Sequence, residues 1–492
     1  MDKLYLSKSK YCRAVQCNKM LWMDKNKPEC AEELDNESVF ETGTKVGILA
    51  KELFGPHIDI SYQEDLTKML EETKKCLLSP PNVITEASFE YDGNFCSVDI
   101  LRNFADGLEV YEVKSSTEVK DIYLEDISYQ VYVLKSLGYN VKKACIVYLN
   151  NEYERHGDLE LDKLFSIEDV TKIAFSKFEE VGKKIADTRE YMKQTEEPTD
   201  DIGTKCFNPY QCAYWKYCTR NLPENNVFQI RGMKTNTKFN LYFNGLIDFK
   251  DLVNEDLNKK YIEQMEYELF DKEDTINKAH IKNFLNKLYY PLYFLDFETY
   301  QQAIPEYDGI RPYMQIPFQY SLHYVQNENG ELLHKEFLAN ANEDPRRKLA
   351  ERLVLDIPTD ACVLAYNMKF EKGVIKNLAE TYADLSEKLM QIHDNIQDLM
   401  EPFQDRDYYT KDMHGSYSIK YVLPALFPYD KELDYHALPV VHNGGEAMTV
   451  FASLGEKTKE EQERIRHGLL EYCKLDTLAM VKIWEKLKAV VR

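Results

Sequence analysis

The sequence predicts an α/β protein whose two domains are joined by a helical spacer. Its 492 residues are enough for two or more domains. A β-rich hairpin followed by a helix-like segment lies between Asp99 and Gln130, and a strongly apolar strand and a late amphipathic helix lie after residue 289. We therefore expect domains at 1–222 and 289–492, with a polar, mostly helical spacer at 223–288.

The predicted hairpin carries charged side chains at alternate positions, as expected for residues on one face of a β-strand. Asp99 lies near the end of one β-rich run, Asp106-Gly107 is expected to form the turn, and Glu112 and Lys114 then point to one face of the next strand. Two carboxylates on adjacent strands can hold a hard divalent cation, and a lysine beside them can polarise a water that attacks a phosphodiester. The same charges would also suit the solvated face of an exposed hairpin.

The ordered set of Asp99, the E-x-K tripeptide with Glu112 and Lys114, and Gln130 resembles the PD-(D/E)XK nucleases of the RecB exonuclease branch. The resemblance implies a restriction-endonuclease-like fold in which Asp99 and Glu112 hold Mg²⁺ or Mn²⁺. It also implies that Lys114 activates water and that Gln130 orients the substrate or that lysine. Many relatives add an upstream histidine, but the matching segment FETGTKVGILAKEL contains none. Glu86 is a candidate for an extra ligand acting through water.

Four of the eleven cysteines form a second pattern, with Cys17 far upstream and Cys206, Cys212 and Cys218 in the segment KCFNPYQCAYWKYC. The upstream segment VQCNKMLWM resembles the C-x-(K/R)-x-x-W motif that opens iron–sulfur members of the same branch, which include CRISPR-adaptation exonucleases and bacterial helicase–nucleases. There, one early and three late cysteines bind a [4Fe–4S] cluster, so the resemblance implies that cofactor here. Thiolates also suit zinc, and the spacing C-x5-C-x5-C differs from the C-x2-C-x5-C of many relatives.

Two alternatives to this cysteine site stay open. Cys12 competes with Cys17 for the first ligand position, and the lysine and tryptophan that follow Cys17 favour Cys17. The four cysteines could also be buried free thiols that pack as small hydrophobes. A disulfide framework is not expected, because the chain is long, has an odd number of cysteines and has no signal peptide. We also expect a cytoplasmic protein.

Three acidic motifs near the end of the chain form a third pattern. Asp296 and Glu298 lie two apart in the apolar strand YYPLYFLDFETY, Glu371 follows a strand-to-helix transition in VLAYNMKFEKGVI, and Tyr472 and Asp476 lie one helical turn apart. This order resembles the DEDDy exonucleases of the DnaQ-like group, which have an RNase H-like fold. The resemblance implies a 3′→5′ exonuclease in which four acidic groups bind two metal ions and the tyrosine positions the attacking water.

The second of these motifs departs from the family pattern, which has aspartate where this chain has Glu371. Either the site tolerates the longer side chain or this half of the protein is weakened, and Asp398 is a candidate for a supplementary acid. Lys420, at a helix start after Ser418, could contact a phosphate or could be an exposed lysine on a capped helix. His442 is interpreted as a turn or surface residue.

The net charge of −22 argues against a nucleic-acid coat protein, because phosphate binding normally needs a basic surface. It does not exclude a nuclease whose acidic groups are partly neutralised by metal ions. No apolar run is long enough to span a bilayer, so no membrane partner is expected.

We therefore expect a metal-dependent nuclease that acts on DNA, with RNA left open, in repair or in defence against foreign nucleic acid. A helicase is a candidate partner. Two alternatives are a single live site with a C-terminal domain that only binds nucleic acid, and a nucleic-acid-binding scaffold without turnover.

Overall fold

The computed structural model describes residues 4–33, 37–270 and 272–492. The expected ranges 1–222 and 223–288 include residues 1–3, 34–36 and 271, which lie outside the described residues. The chain divides into two compact units, one formed by Met1–Leu222 with Gln302–Tyr313 and the other by Pro223–Gln301 with Met314–Arg492. Both units mix helices and strands, as the α/β class predicts, and the range expected as a spacer is part of the second unit.

The first unit is built around one sheet. Its strands are β1 (Leu6–Ser7), β2 (Ile58–Asp59), β3 (Asn82–Tyr91), β4 (Asn94–Phe104), β5 (Gly107–Lys114), β6 (Val141–Leu149) and β7 (Phe165–Asp169). Its helices are α1 (Lys8–Gln16), α2 (Asn18–Asn26), α3 (Glu37–Ala50), α4 (Leu66–Leu77), α5 (Asp121–Ser136), α6 (Leu161–Leu164), α7 (Thr171–Ser176), α8 (Phe178–Tyr191) and α9 (Trp215–Cys218).

The strands of this sheet lie in the order β2-β3-β4-β5-β6-β7, and β1 pairs with β4 in addition. β4 is antiparallel to both β3 and β5, whereas β5 and β6 are parallel with α5 between them in the chain. Helix α5 packs on β3, β4 and β6, and Val46 and Ala50 of α3 share a hydrophobic cluster with Ile100 and Tyr111. Since side chains alternate along a strand, the neighbours of Ile100 and Tyr111 point to the opposite face.

The hairpin turn between β4 and β5 is formed by Ala105 and Asp106, one residue earlier than expected from Asp106-Gly107. Gly107 already pairs with Phe104 across the hairpin. Its φ of +149° and its closeness to the backbone of Asn140, whose oxygen would lie 2.6 Å from an added Cβ, explain why glycine stands there.

The second unit contains a larger set of helices. Its strands are β8 (Thr275–Ile276), β9 (Leu292–Gln301), β10 (Gln315–Val325), β11 (Leu333–Leu338), β12 (Cys362–Ala365), β13 (Ile396–Asp398) and β14 (Tyr408–Tyr409). Its helices are α10 (Thr235–Phe243), α11 (Phe249–Leu252), α12 (Lys259–Leu269), α13 (Lys278–Leu285), α14 (Arg346–Asp356), α15 (Lys369–Thr381), α16 (Ser386–Asp394), α17 (Glu401–Gln404), α18 (Ile419–Leu426), α19 (Gly444–Ala452) and α20 (Lys459–Val491).

A mixed sheet with strand order β11-β10-β9-β12-β13 forms the centre of the second unit. β10 is antiparallel to both β9 and β11, and β12 and β13 continue the sheet in parallel with β9. Leu292 and Phe294 pack in one cluster with α13, α18 and α20, whereas Tyr293, Leu295 and Phe297 pack in another with α14, α15 and α16. The sheet therefore lies between two helical layers, and the even-numbered residues of β9 face α20.

In the described part of the chain, no helix combines the length and the apolar character that crossing a membrane would require.

Candidate active sites

Asp99 lies where strands β4 and β5 stop pairing. The register between them runs from Phe104 opposite Gly107 to Ile100 opposite Tyr111. Two residues further along β5, the backbone N–H of Val113 donates to Oδ2 of Asp99 at 2.7 Å. The Asp99 carboxylate thus takes the place of the backbone carbonyl that a continued strand would offer. Asp99 is thereby fixed at the open end of the hairpin.

Glu112 is the centre of a buried network on the α5 side of the sheet, with 1% of its surface exposed. Lys114 Nζ donates to Glu112 Oε1 at 2.7 Å and to Asp126 Oδ2 at 2.6 Å. From α5, Gln130 Nε2 donates to Glu112 Oε2 at 2.7 Å and to Asp126 Oδ1 at 3.1 Å. The structure thus brings Asp99, Glu112, Lys114 and Gln130 together and adds Asp126 of the same helix.

Lys8 is a further member of this network that sequence reasoning missed. Its Nζ lies 2.8 and 3.0 Å from the two Glu112 oxygens and 3.5 Å from Asp99 Oδ1. It begins α1, whose N-cap is Ser7. It lies 91 residues before Asp99, and nothing in its local sequence marks it as a site residue.

The charges of this network compensate one another. Burial and the Asp99 charge oppose ionisation of Glu112, but Lys114 and Lys8 outweigh them and its pKa is lowered. Burial alone would lower the pKa of each lysine, yet the surrounding carboxylates raise it well above the ordinary value. Both ammonium groups therefore stay charged throughout the physiological pH range.

Glu86, the candidate extra ligand, forms an ion pair instead. Its Oε1 lies 3.3 Å from Lys51 Nζ, and its backbone has a φ of +56° within β3. Asp59 accepts from the same lysine at 2.7 Å. The structure therefore gives Glu86 a cationic partner outside the Glu112 network.

Cys17, Cys206, Cys212 and Cys218 line one open cavity. Cys17 ends α1, and the late cysteines follow a short helical turn, a loop and α9. Gln16 joins the two segments, because its Nε2 donates to the carbonyls of Lys205 at 2.9 Å and Tyr210 at 2.7 Å. Burial raises the pKa of Cys212 to about 11 and also raises the pKa of Cys206 and Cys218.

Cys12, the competing ligand candidate, does not line this cavity. Burial raises its pKa, and the next contributions come from Asp126 and Lys114. Cys12 is therefore a neighbour of the Glu112 network, whereas Cys17 lies with the three late cysteines.

Asp296, Glu298 and Asp476 form an acidic trio in the second unit. One carboxylate oxygen of each lies within 4.8 Å of the others, and among the described residues this is the only such set of three or more potential ligands. Asp296 and Glu298 are side by side on the α20 face of β9, and Asp476 comes from α20 itself. Three oxygens at this separation can converge on a divalent cation.

Glu371 lies at the start of α15, directly after β12, with 2% of its surface exposed. It is close enough to raise the pKa of Asp296 and Glu298, so the structure brings it to the acidic trio. Its Oε2 is buried and has no hydrogen-bond partner among the described residues. A buried acid in this condition is a group that a cation would satisfy.

The acidic trio differs from the Glu112 network in that no lysine of the described chain is inserted between its carboxylates. Burial first, and the neighbouring carboxylates next, raise the pKa of Asp296 and Glu298 well above the ordinary values. Burial also raises the pKa of Asp476 to about 7 and that of Glu371 to about 8. These groups therefore hold protons near neutral pH, and a bound cation would have to displace them.

Two tyrosines approach Asp476. Tyr472, one turn earlier on α20, stabilises the ionised form of Asp476 by a hydrogen bond. Tyr435 Oη donates to Asp476 Oδ1 at 2.6 Å, a contact over 41 residues that the sequence did not indicate. The Lys420 charge also favours the ionised form of Asp476, so this lysine is near the trio, although Ser418 makes no side-chain cap for α18.

The start of α19 forms part of the rim of this site. An added Cβ at Gly444 would lie 3.6 Å from Glu298 Oε2 and 4.0 Å from Tyr472 Oη, so backbone approaches the acids closely. His442 is half-exposed, and its Nδ1 pairs with Glu446 Oε2 at 2.8 Å. That contact agrees with its interpretation as a loop residue.

Comparison with protein families finds one match, a family described as a domain of unknown function (DUF2779), over residues 293–418. The matched range includes Asp296, Glu298 and Glu371 and ends before Tyr472 and Asp476. A comparison with curated proteins finds no match.

Proposed function

We propose that the protein is a metal-dependent nuclease with one hydrolytic site in each unit. The observation that carries the proposal is the acidic trio, whose carboxylate oxygens lie within 4.8 Å of one another. A pair of cations about 3.5–4 Å apart is the common arrangement for in-line displacement at a phosphodiester, and it needs acidic groups at this spacing. The resemblance of the same residues to the DEDDy motifs supports an exonuclease acting in the 3′→5′ direction.

The donor set of the second unit suits Mg²⁺ or Mn²⁺, because hard cations prefer carboxylate oxygens. Bound there, the cations would supply an activated water and would neutralise charge on the phosphate. Asp296, Glu298, Glu371 and Asp476 are the proposed ligands. Tyr472 is proposed to orient the water, since its hydroxyl lies beside both Asp476 and the Gly444 rim.

In the first unit, Asp99 and Glu112 are the proposed ligands for Mg²⁺ or Mn²⁺. Lys114 stays cationic between Glu112 and Asp126, so its proposed action is to polarise water and to neutralise phosphate charge rather than to accept a proton. Gln130 fixes the orientation of Glu112 through its 2.7 Å hydrogen bond. The substrate of both sites is proposed to be DNA, with RNA as the other possibility.

The four-cysteine cavity is proposed to hold a [4Fe–4S] cluster, with zinc as the alternative. A tetrahedral zinc site places its sulfurs about 3.8 Å apart. Within the described part of the chain, no three of these cysteines belong to a set within 4.8 Å, although all four line one cavity. That wider spacing fits a larger group, and the cluster would tie α1 to the late cysteine segment as Gln16 already does.

A second candidate function is a single-site nuclease whose second unit only binds nucleic acid. The observation that favours it is Glu371, because a longer carboxylic acid with a pKa of about 8 stands where the family has aspartate. A scaffold without turnover is the third possibility. Lys114 argues against it, because a scaffold has no need for a lysine between buried carboxylates. DNA repair or defence against foreign nucleic acid, in the cytoplasm and with a helicase as partner, is the proposed setting.

The test uses the full chain purified without oxygen, Mn²⁺, and end-labelled single- and double-stranded DNA and RNA. Wild type is compared with Lys114→Ala and Asp296→Ala, and with Lys10→Ala as an exposed lysine control away from the proposed ligands. Two separable activities, each lost in one variant, would support two sites. Loss of all cleavage in Lys114→Ala alone would make the second unit a binding module. A wild type that cuts none of the substrates would favour the scaffold.

A further inference from the structure

Lys8 lies between the two proposed metal ligands of the first unit. Its ammonium contacts both Glu112 oxygens at 2.8 and 3.0 Å and Asp99 Oδ1 at 3.5 Å. Its position is built rather than incidental, because the Ser7 side chain caps α1 and β1 pairs with β4 next to Asn94 and Phe95. Lys8 is thus delivered to the site by a defined strand and helix start.

Two lysines serve this site in different ways. Lys114 joins Glu112 to Asp126 rather than to Asp99. Lys8 fills the gap between Asp99 and Glu112. A cation at this site would need oxygens from both Asp99 and Glu112. Of the two lysines, only Lys8 contacts both of these carboxylates.

A divalent cation and the Lys8 ammonium cannot both occupy the gap between Asp99 and Glu112. Mg²⁺ binds oxygen at about 2.0–2.1 Å, and an ammonium at hydrogen-bond distance from the same carboxylates would lie within a few ångströms of it. Two positive centres so close repel strongly in a partly buried site. The lysine must leave the gap when the cation enters.

We propose that Lys8 is a positioning residue that regulates metal loading of the first site by competing with the divalent cation for Asp99 and Glu112. The inference rests on the proposed metal site of the first unit. In the metal-free protein, Lys8 holds the two carboxylates in place and balances their charge. A metal ion that binds must first break these charge-assisted hydrogen bonds, which costs free energy. Its affinity is therefore lower than it would be at the same carboxylates without the Lys8 ammonium.

The test is a Mn²⁺ titration of the full chain by calorimetry, in a background with Asp296→Asn and Glu298→Gln so that the second unit does not contribute. Lys8→Met, which keeps the length of the side chain without its charge, is expected to bind Mn²⁺ at least tenfold more tightly. Lys10→Met, an exposed lysine two residues later on the same helix, is the control and should bind as the background does. Lys8→Arg, which keeps the charge, should also bind weakly.

Thermal unfolding gives a second readout that does not depend on activity. Lys8→Met should unfold at a lower temperature than the background in EDTA, because Asp99 and Glu112 lose their counter-charge. Saturating Mn²⁺ should raise its unfolding temperature more than that of the background, since the tighter ligand stabilises more. If Lys8→Met does not fold, Lys8→Gln takes its place in both measurements.

Two outcomes would overturn the inference, and they are distinguishable. Mn²⁺ binding that is lost in Glu112→Gln but unchanged or weakened in Lys8→Met would leave the metal site standing and reject competition by Lys8. No Mn²⁺ binding in the background, in Lys8→Met or in Glu112→Gln would reject the metal site of the first unit itself, and the role of Lys8 with it.

Discussion

Replacing Glu371 by glutamine should make the stability of the second unit less dependent on pH. Burial raises the pKa of Glu371 from 4.5 to about 8. Between these values the folded protein keeps a proton that the unfolded chain has released, so this residue's contribution to stability falls as pH rises. The shift corresponds to roughly 5 kcal/mol once both states are fully ionised. The glutamine amide does not titrate. The free energy of unfolding of Glu371→Gln, taken relative to that of wild type, should therefore rise by several kcal/mol from pH 5 to pH 9.

The measurement needs a probe of the second unit alone. Of the three tryptophans, only Trp484 belongs to that unit. With 5-fluorotryptophan incorporated, the fluorine resonance of Trp484 follows unfolding in urea at pH 5 and pH 9, in EDTA. Other acids of the site titrate in both proteins, so the difference between variant and wild type reports Glu371 together with its effect on the pKa of Asp296 and Glu298. Glu380→Gln, at an exposed position of the same helix, is the control and should change stability by less than about 0.5 kcal/mol at either pH.

An equal difference between Glu371→Gln and wild type at both pH values would refute the reasoning, because it would mean that Glu371 ionises without cost in the folded protein. Metal provides a further check. At pH 9, where Glu371 is ionised and available as a ligand, saturating Mn²⁺ should raise the free energy of unfolding of wild type. The variant should gain less, and equal gains would show that Glu371 is not a ligand.

Three further predictions concern the cysteine cavity and Asp476. Cys212→Ser should lose the iron and visible absorption of protein purified without oxygen, whereas Cys12→Ser should keep both; equal metal content in the two variants would contradict the ligand set. Tyr435→Phe removes a 2.6 Å hydrogen bond to Asp476 and should raise the pKa of Asp476 above about 7. The pH at which Mn²⁺ binding to the second unit is half-maximal should then rise by about 0.5–1 unit, and no shift would contradict that contact. Mn²⁺ binding at pH 6.5 should release protons from the acids of this site, Asp476 and Glu371 among them, seen as a dependence of binding enthalpy on buffer ionisation, and this release should be smaller at pH 9.

The parts of the fold that local patterns specify were predictable. The alternation of Glu112 and Lys114 and the apolar run before Asp296 each specify a strand and the face on which its charges lie. Tyr472 and Asp476 are on one helix, so their spacing alone brings them together. The face of a strand or helix on which a carboxylate lies follows from the periodicity of that element, and this periodicity can be read from neighbouring residues.

Contacts between distant elements were not predictable in the same way. Lys8 and Tyr435 reach their sites through the packing of α1 and of the chain before α19, and neither carries a local signal. Asp398, the candidate supplementary acid of the second site, is close enough to raise the pKa of Glu371, and the sequence did not indicate its backbone contacts. Its oxygens accept from the backbone N–H groups of Asn367 at 3.0 Å, Met368 at 3.3 Å and Met400 at 3.0 Å. A sequence pattern does not distinguish a carboxylate that caps a turn from one that binds a cation.

The segment Gln302–Tyr313 has a practical consequence for dissecting the protein. It connects two strands of the second unit, β9 and β10, yet it belongs to the first unit, where Ala303 packs in the cluster that contains Val46. A truncated protein that ends at Leu222 would lack this part of its hydrophobic core, and one that begins at Pro223 would carry the segment without its packing partners. We therefore expect separately expressed halves to be destabilised, and each site is better silenced by point substitution within the intact chain.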